Sequence, residues 1–141
     1  MAKILGTVSL DPWERKVRTE LSKQLPNNWV VVCNVSYCWR NEDGYTRDGQ
    51  ADFVVLAPNL GMTIVEVKGA KSIWVDDSGI WHRRRWGRQN TTTQHQMQEP
   101  PPEQATRNMH NLALKISTEL GSGSFPGLFA WLVAFPNGEV E

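Results

Sequence analysis

Three charged residues lie in or beside strands that are otherwise apolar, namely Asp52, Glu66 and Lys68. The apolar runs predict strands over residues 52–56 and 62–67, joined by a Pro-Asn-Leu-Gly turn. Because side chains alternate between the two faces of a strand, Glu66 and Lys68 share one face, and strand pairing can bring Asp52 beside Glu66. Two carboxylates beside an ammonium group favour a Mg²⁺ site, at which water can be activated to attack a phosphate.

A purely structural role is the alternative for these charges. Lys68 can form a salt bridge with Glu66 or Asp52 at the end of the strand, and a lone Glu-x-Lys triplet favours that interpretation because it is short and common. The presence of Asp52 upstream, with an apolar strand under each charge, favours the functional interpretation, since a buried charge needs a specific partner.

An amphipathic helix is predicted over residues 12–25, because Asp11 can cap it and Pro12 suits its first position. Glu14 falls inside the apolar stripe of this helix, and Glu20 falls at its margin. Glu14 can complete a capping box with Asp11, which is the structural alternative, but a carboxylate on the core-facing side needs a partner such as a metal ion. Glu14 is therefore the preferred acidic ligand and Glu20 the alternative. The stripe consists of Leu10, Trp13, Val17, Leu21 and Leu25.

The rest of the chain alternates between strand and helix patterns, which indicates an α/β fold. Further strands are predicted over residues 29–35, 72–75, 80–82 and 128–135, a second helix over 103–120, and loops over 37–49 and 89–102. The last strand is expected to be buried on both faces, and Trp74 is expected to face Trp81 in the hairpin. In the second helix a polar stripe is interpreted as a solvated face; it consists of Gln104, Asn108, Asn111 and Lys115.

The concentrated basic segment of the chain follows this hairpin and contains Arg83, Arg84, Arg85, Trp86 and Arg88. Arginine with interleaved tryptophan suits a nucleic acid, because guanidinium groups bind phosphate and indole rings stack on bases. A solvated strand end whose arginines offset nearby acids is an equally good interpretation.

Composition limits these possibilities further. The 141 residues include 15 basic and 15 acidic side chains, so affinity for a nucleic acid must come from a local patch. No apolar run approaches the ~20 residues needed to cross a bilayer, and the first residues lack the apolar core of a signal peptide. The protein is expected to be soluble and cytoplasmic, with Cys33 and Cys38 as reduced thiols.

The spacing of Asp52 from the Glu66-Val67-Lys68 triplet resembles the signature of PD-(D/E)xK nucleases, and the longer pattern resembles the nuclease-related domain, NERD. The resemblance runs from about Trp13 to Phe135, so that residues 1–141 are expected to form a single NERD-like domain, with the option that it is the N-terminal part of a longer protein. The segments that carry the pattern are 13–17, 51–55, 64–69, 101–105 and the apolar strand that closes on 135–136.

The resemblance implies a restriction-endonuclease-like fold, with a mixed central sheet of four to five strands and helices on both faces. It implies Mg²⁺, or Mn²⁺ as a substitute, bound by Asp52, Glu66, Glu14 and the carbonyl of Val67. Lys68 would act on the attacking water and Gln104 would orient the site. The implied partner is a nucleic acid, most of all DNA, together with a helicase-like region.

Three functions are consistent with these observations. The first is a metal-dependent nuclease whose catalytic residues are Asp52, Glu66, Lys68, Glu14 and Gln104. The second is a nuclease-like fold that binds nucleic acid or targets a helicase-like partner without cutting. The third is an interaction scaffold in which the charged cluster is only a salt bridge.

Overall fold

The computed structural model describes residues 1–40, 44, 46–87, 89, 91–136 and 139–140. It contains two helices, α1 (Pro12–Gln24) and α2 (Pro101–Glu119). The strands of the described residues are β1 (Lys3–Gly6), β2 (Val30–Arg40), β3 (Thr46–Ala57), β4 (Gly61–Val67), β5 (Ser72–Val75), β6 (Trp81–Trp86), β7 (Thr92–Gln96), β8 (Leu128–Ala134) and β9 (Glu139–Val140).

A five-stranded mixed sheet forms the centre of the fold, in the order β1-β2-β3-β4-β8. β2, β3 and β4 pair antiparallel, whereas β1 and β8 join the two edges in parallel. The α/β class and the mixed central sheet predicted from the sequence are therefore confirmed. Within this sheet β3 and β4 place Asp52 and Glu66 on adjacent strands.

The two helices pack on opposite faces of this sheet, as predicted. Trp13, Val17 and Leu21 of α1 cover the face that carries Phe53 and Val65. The other face is covered by α2, whose buried residues pack on the remaining positions of the same strands. The strand positions on the α2 face include Ala51, Val54, Met62 and Ile64. Glu66 shares its strand parity with Ile64 and is hydrogen-bonded to Asn108 of α2, so its carboxylate belongs to the α2 side of the sheet.

The segment 37–49, predicted as a loop, belongs largely to the sheet, and that prediction is wrong. β2 continues to Arg40 and β3 begins at Thr46, with Tyr37 opposite Gly49. The polar, Gly-containing composition of this segment indicated a loop. Tyr37 is nevertheless buried, and its hydroxyl group takes part in the site described below.

A second sheet, in the order β7-β6-β5-β9, follows the central strands. The β5–β6 hairpin was predicted, but its register differs by one residue, because Trp74 lies opposite His82 and stacks on it at 5.4 Å. Asp76 accepts hydrogen bonds from the backbone N–H groups of Ser78 and Ile80, which keeps Ile80 in the turn.

Two further predictions are wrong at the sheet edges. Thr92–Gln96, placed in a loop, forms β7, an exposed strand that pairs with β6. β8 was expected to be buried on both faces, but it is an edge strand whose residues from Leu128 to Leu132 are exposed.

Leu10 is 92 % exposed and precedes α1, so it is not part of the helical stripe. Neither helix is apolar enough over a sufficient length to cross a membrane, as judged on the described residues.

Candidate active site

A single cleft of about 420 Å³ brings together the five residues predicted to be catalytic. They come from five different parts of the chain: the first turn of α1, the strand β3, the strand β4, the segment after β4, and the first turn of α2. These residues are Glu14, Asp52, Glu66, Lys68 and Gln104. Convergence of charged and polar groups from separate elements on one concave surface is typical of an active site.

Asp52 is held in place by the backbone of the neighbouring strand. Its Oδ2 atom accepts a hydrogen bond of 2.8 Å from the N–H group of Val67. This bond links the two strands at the point where β4 reaches the cleft. It therefore restricts the position of the Asp52 carboxylate.

Glu66 is the buried acid of the cleft, with 1 % of its surface exposed. Its Oε1 atom accepts a hydrogen bond of 2.7 Å from the Asn108 side chain. Burial raises the pKa of Glu66 to about 8, and the negative charge of Asp52 adds to the effect, whereas Asn108 and Lys68 act in the opposite direction. A group with such a raised pKa holds a proton at neutral pH, and a cation that binds the same oxygens must displace this proton into the solvent.

Asn108 is fixed by a buried hydrogen-bond network. Its amide group donates both to Glu66 and to the carbonyl of Gln50, and its Oδ1 atom accepts from the Tyr37 hydroxyl group at 2.5 Å. Gly49 makes room for this tyrosine, because a Cβ atom there would lie 2.3 Å from the Tyr37 hydroxyl oxygen. The network orients the Asn108 amide toward Glu66.

Removal of the tyrosine hydroxyl group tests this network. We expect Tyr37→Phe to lower the free energy of unfolding by about 1–2 kcal/mol, because the buried Oδ1 atom of Asn108 loses its donor. Chemical denaturation measures this change. Thr106→Val is the control, because it removes a hydroxyl group that donates to the carbonyl of Pro102 within α2. An unaltered stability in Tyr37→Phe would show that the network does not hold Asn108.

Glu14 does not complete a capping box with Asp11. Asp11 caps α1 by accepting from the N–H groups of Trp13 and Glu14, but its own N–H group donates to Ser9 and not to Glu14. Burial raises the pKa of Glu14, with a further contribution from the charge of Asp52, and a hydrogen bond with Ser9 opposes the shift. Of the two candidate acids on α1, Glu14 therefore lies in the cleft.

Glu20, the alternative to Glu14, lies elsewhere. It is exposed, accepts a hydrogen bond from Gln24 on the next turn of α1, and lines a separate apolar groove.

Lys68 follows β4 at the rim of the cleft. Its backbone N–H group donates to the carbonyl of Ala134, which anchors it to β8. Among the described residues its ammonium group forms no salt bridge within 4.0 Å, so the strand-end ion pair offered as the structural alternative is not formed. The charge of Lys68 remains directed at the cleft rather than neutralised by one carboxylate.

Not all residues of the basic segment reach the cleft. Arg83, Arg85 and Trp86 line the cleft. Burial lowers the pKa of Arg83, and the nearby charge of Arg85 acts in the same direction. Arg84 is not among the cleft residues, because its guanidinium group lies over the ring of Trp74 at 5.3 Å. Arg88 was predicted to bind nucleic acid and lies outside the described residues.

The fit of a metal ion depends on the oxygen atoms of this cleft. In the part of the chain that the structure describes, no three His, Cys, Asp or Glu side chains already form a metal-binding group. Four acidic residues nevertheless line one cleft, namely Asp11, Glu14, Asp52 and Glu66, and the charge of Asp52 raises the pKa of both glutamates. A hard cation would relieve this repulsion, and carboxylate oxygens are the ligands that Mg²⁺ prefers. The donor set therefore fits Mg²⁺.

A comparison with protein families finds a match over most of the chain. The model of the nuclease-related domain, NERD, matches residues 10–136, which is most of the chain. The chain belongs to the NERD family. No curated protein and no solved structure gives a significant match.

In this NERD domain the structure adds site residues that the sequence did not single out. Asn108 was placed on a solvated face of α2, but it is 1 % exposed and hydrogen-bonded to Glu66, so that interpretation is wrong. Its position four residues after Gln104 is the signal that was available, because residues four apart lie on one side of a helix. Tyr37 gave no such signal, since its contact with Asn108 spans 71 residues.

Gly69 couples the first helix to the end of β4. A Cβ atom at this position would lie 1.9 Å from the Trp13 ring, which precedes Glu14 on α1. The absence of a side chain thus allows α1 to approach Lys68 and Glu66.

We expect Gly69→Ala to destabilise the NERD domain by about 2–4 kcal/mol, because the Trp13 ring has to move away from the sheet. Thermal unfolding measures the loss. The control is Gly123→Ala, where no atom lies within 4 Å of the added carbon. Equal melting temperatures for Gly69→Ala and the parent would contradict this close contact.

Proposed function

We propose that this NERD domain is a metal-dependent nuclease that hydrolyses phosphodiester bonds, most of all in DNA processing or repair. The observation that supports it is the convergence of Asp52, Glu66 and Lys68 on one cleft, with the lysine outside any salt bridge among the described residues. Buried carboxylates without a cationic partner are costly in a purely structural cluster. They are useful in a site that binds a cation and a phosphate.

The carboxylates are the proposed ligands. Asp52, Glu66 and Glu14, with the carbonyl of Val67, would hold Mg²⁺, and Mn²⁺ would substitute for it. The bound ion supplies positive charge that polarises a phosphoryl oxygen and makes a water molecule more acidic. The hydrogen bond from Val67 restricts Asp52, and the bond from Asn108 restricts Glu66, so that both are preorganised.

Lys68 is the proposed electrostatic catalyst. Its ammonium group donates to the attacking water and stabilises the negative charge that develops on the phosphate. Gln104, in the first turn of α2, provides an amide that accepts from the same water or donates to the substrate. Asn108 is a positioning residue, because it acts through Glu66 and not on the substrate.

A nuclease-like module that binds nucleic acid without cutting is the second candidate. Arg83, Arg85 and Trp86 favour it, since they line the cleft and suit a polyanion whether or not cleavage follows. Such a module would serve a helicase-like region or partner. It predicts binding that survives Glu66→Gln and needs no metal ion.

Cleavage assays separate the two candidates. Supercoiled plasmid and end-labelled single strands are incubated with the domain in Mg²⁺, in Mn²⁺ and in EDTA. We expect products only with a metal ion, and nicked plasmid or shortened strands identify internal or terminal cutting. Absence of cutting in all three conditions, with the nucleic acid still retarded in a gel, would establish the binding module instead.

A further inference from the structure

The cleft carries positive charge as well as carboxylates. Arg83, Arg85 and Lys71 all line it. Among the described residues none of them forms a salt bridge, and the Nε atom of Arg83 is buried without a hydrogen-bond partner. A partly buried guanidinium group with an unpaired N–H group destabilises the fold unless an anion binds it. The arginines can therefore bind an anion in the cleft that also contains the carboxylates.

The alternation of β6 selects two of its three consecutive arginines for this purpose. Arg83 and Arg85 are two residues apart, so they lie on one face of the strand and reach the cleft together. Arg84 points to the other face, where it stacks on Trp74. Guanidinium groups bind phosphate through two parallel hydrogen bonds, which fixes the geometry of the bound group more closely than an ammonium does.

The size of the cleft restricts the nucleic acid that can enter. Its volume of about 420 Å³ is that of a small-ligand site, and Glu66 is 1 % exposed. A phosphate that reaches Glu66 must enter with its neighbouring sugars. An unpaired strand can adopt the bent backbone that such a space requires, whereas base pairing holds both backbones of a duplex in a regular helix. Trp86 is 57 % exposed at the cleft, where an unpaired base can stack on it.

We propose that Arg83 and Arg85 form a second phosphate site, which holds the phosphate next to the one that is hydrolysed on an unpaired nucleic-acid strand. This inference rests on the proposed nuclease function for the position of the reacting phosphate. Its binding component is independent of cutting. The substrate class is thus a single strand, an overhang or a flap, and not the interior of a duplex.

Binding measurements in EDTA test the inference without turnover. A short labelled single strand and a hairpin-closed duplex of the same sequence are titrated by fluorescence anisotropy at several salt concentrations. We expect Arg83→Gln and Arg85→Gln each to weaken single-strand binding about tenfold, as for loss of a charged hydrogen bond. The slope of log affinity against log salt should become less negative by about 0.7 in each variant.

Arg84→Gln is the matched control, because it removes the same charge from the neighbouring position of the same strand. We expect it to lower the affinity less than about twofold. The parent should bind the single strand at least about tenfold more tightly than the duplex. Arg85 is exposed, so Arg85→Gln is expected to fold. It therefore tests the inference even if a melting assay shows that Arg83→Gln is unfolded.

Three results would overturn the inference: an unchanged affinity in Arg85→Gln, an equal loss in Arg84→Gln, or equal binding of the duplex. Binding that depends on Arg83 and Arg85 in a domain that never cuts would instead refute the proposed hydrolysis and retain the phosphate site. The two proposals therefore fail in different experiments.

Discussion

Replacement of Lys68 by Met is expected to slow strand cleavage by about 10²–10³-fold, the loss typical of removing one preorganised donor from a transition state. Lys68 lines the cleft, and among the described residues its ammonium group forms no salt bridge. Met keeps the apolar stem, and the backbone of Lys68 remains bonded to Ala134. The melting temperature should therefore change by no more than about 3 °C. Initial rates on a labelled strand at saturating Mg²⁺ measure the effect.

Lys115→Met is the matched control for this experiment. Lys115 lies on α2 and forms an exposed pair with Glu119 one turn later, so its loss should leave the cleavage rate unchanged. A Lys68→Met variant that cuts as fast as the parent would eliminate Lys68 from the reaction. A slow variant that also melts early would show a structural role, and the circular dichroism spectrum distinguishes these cases.

Glu66→Gln is expected to abolish metal-dependent cleavage and at the same time to stabilise the metal-free domain. Gln keeps the oxygen that accepts from Asn108, but it neither ionises nor attracts a cation strongly. Ionisation of Glu66 in the folded parent lowers the free energy of unfolding, since burial and the charge of Asp52 raise the pKa of this group to about 8. This effect gives the stability difference a defined pH dependence.

The sign follows from the protons that each state binds. Between the ordinary pKa of 4.5 and the folded value of about 8, the unfolded chain has lost the Glu66 proton while the folded domain retains it. The contribution of Glu66 to stability is fully present below pH 4.5 and is lost as the pH rises toward about 8. In EDTA, Glu66→Gln should equal the parent near the lower pH and exceed it by about 1–3 kcal/mol near the upper one.

Denaturant titrations at a series of pH values measure this difference. Glu103→Gln is the control, because Glu103 is an exposed acid in the first turn of α2 and its replacement should give no such pH-dependent gain. A stability difference that does not grow with pH would show that Glu66 is already ionised in the folded domain, and the proposed competition between proton and metal ion would be wrong.

The central part of the site follows from local patterns in the sequence. Asp52, Glu66 and Lys68 stand out because charge interrupts strands with a period of two, and Glu14 stands out because it interrupts a helical stripe. Periodicity also identifies both helices and the paired strands β3 and β4, since each buries one regular face. These features depend on neighbours within a few residues, and the sequence therefore contains them.

Other parts depend on distant contacts that local patterns do not encode. The polar stripe of α2 appeared solvated because the network from Tyr37 through Asn108 to Glu66 joins residues far apart in the chain. β8 appeared buried because its composition is apolar, whereas its position at a sheet edge is set by pairing with β4. β7 appeared to be a loop because it is exposed throughout and pairs with β6 through its backbone.

A metal site at Glu66 can be tested by measuring the cleavage rate of the parent domain against Mg²⁺ concentration at several pH values between about 6 and 8. We expect no cutting in EDTA and saturation with Mg²⁺. The half-saturating concentration should fall about tenfold for each pH unit, because the ion displaces a proton from Glu66. Cutting that persists in EDTA, or a Mg²⁺ requirement that does not change with pH, would contradict a metal site built on this buried carboxylate.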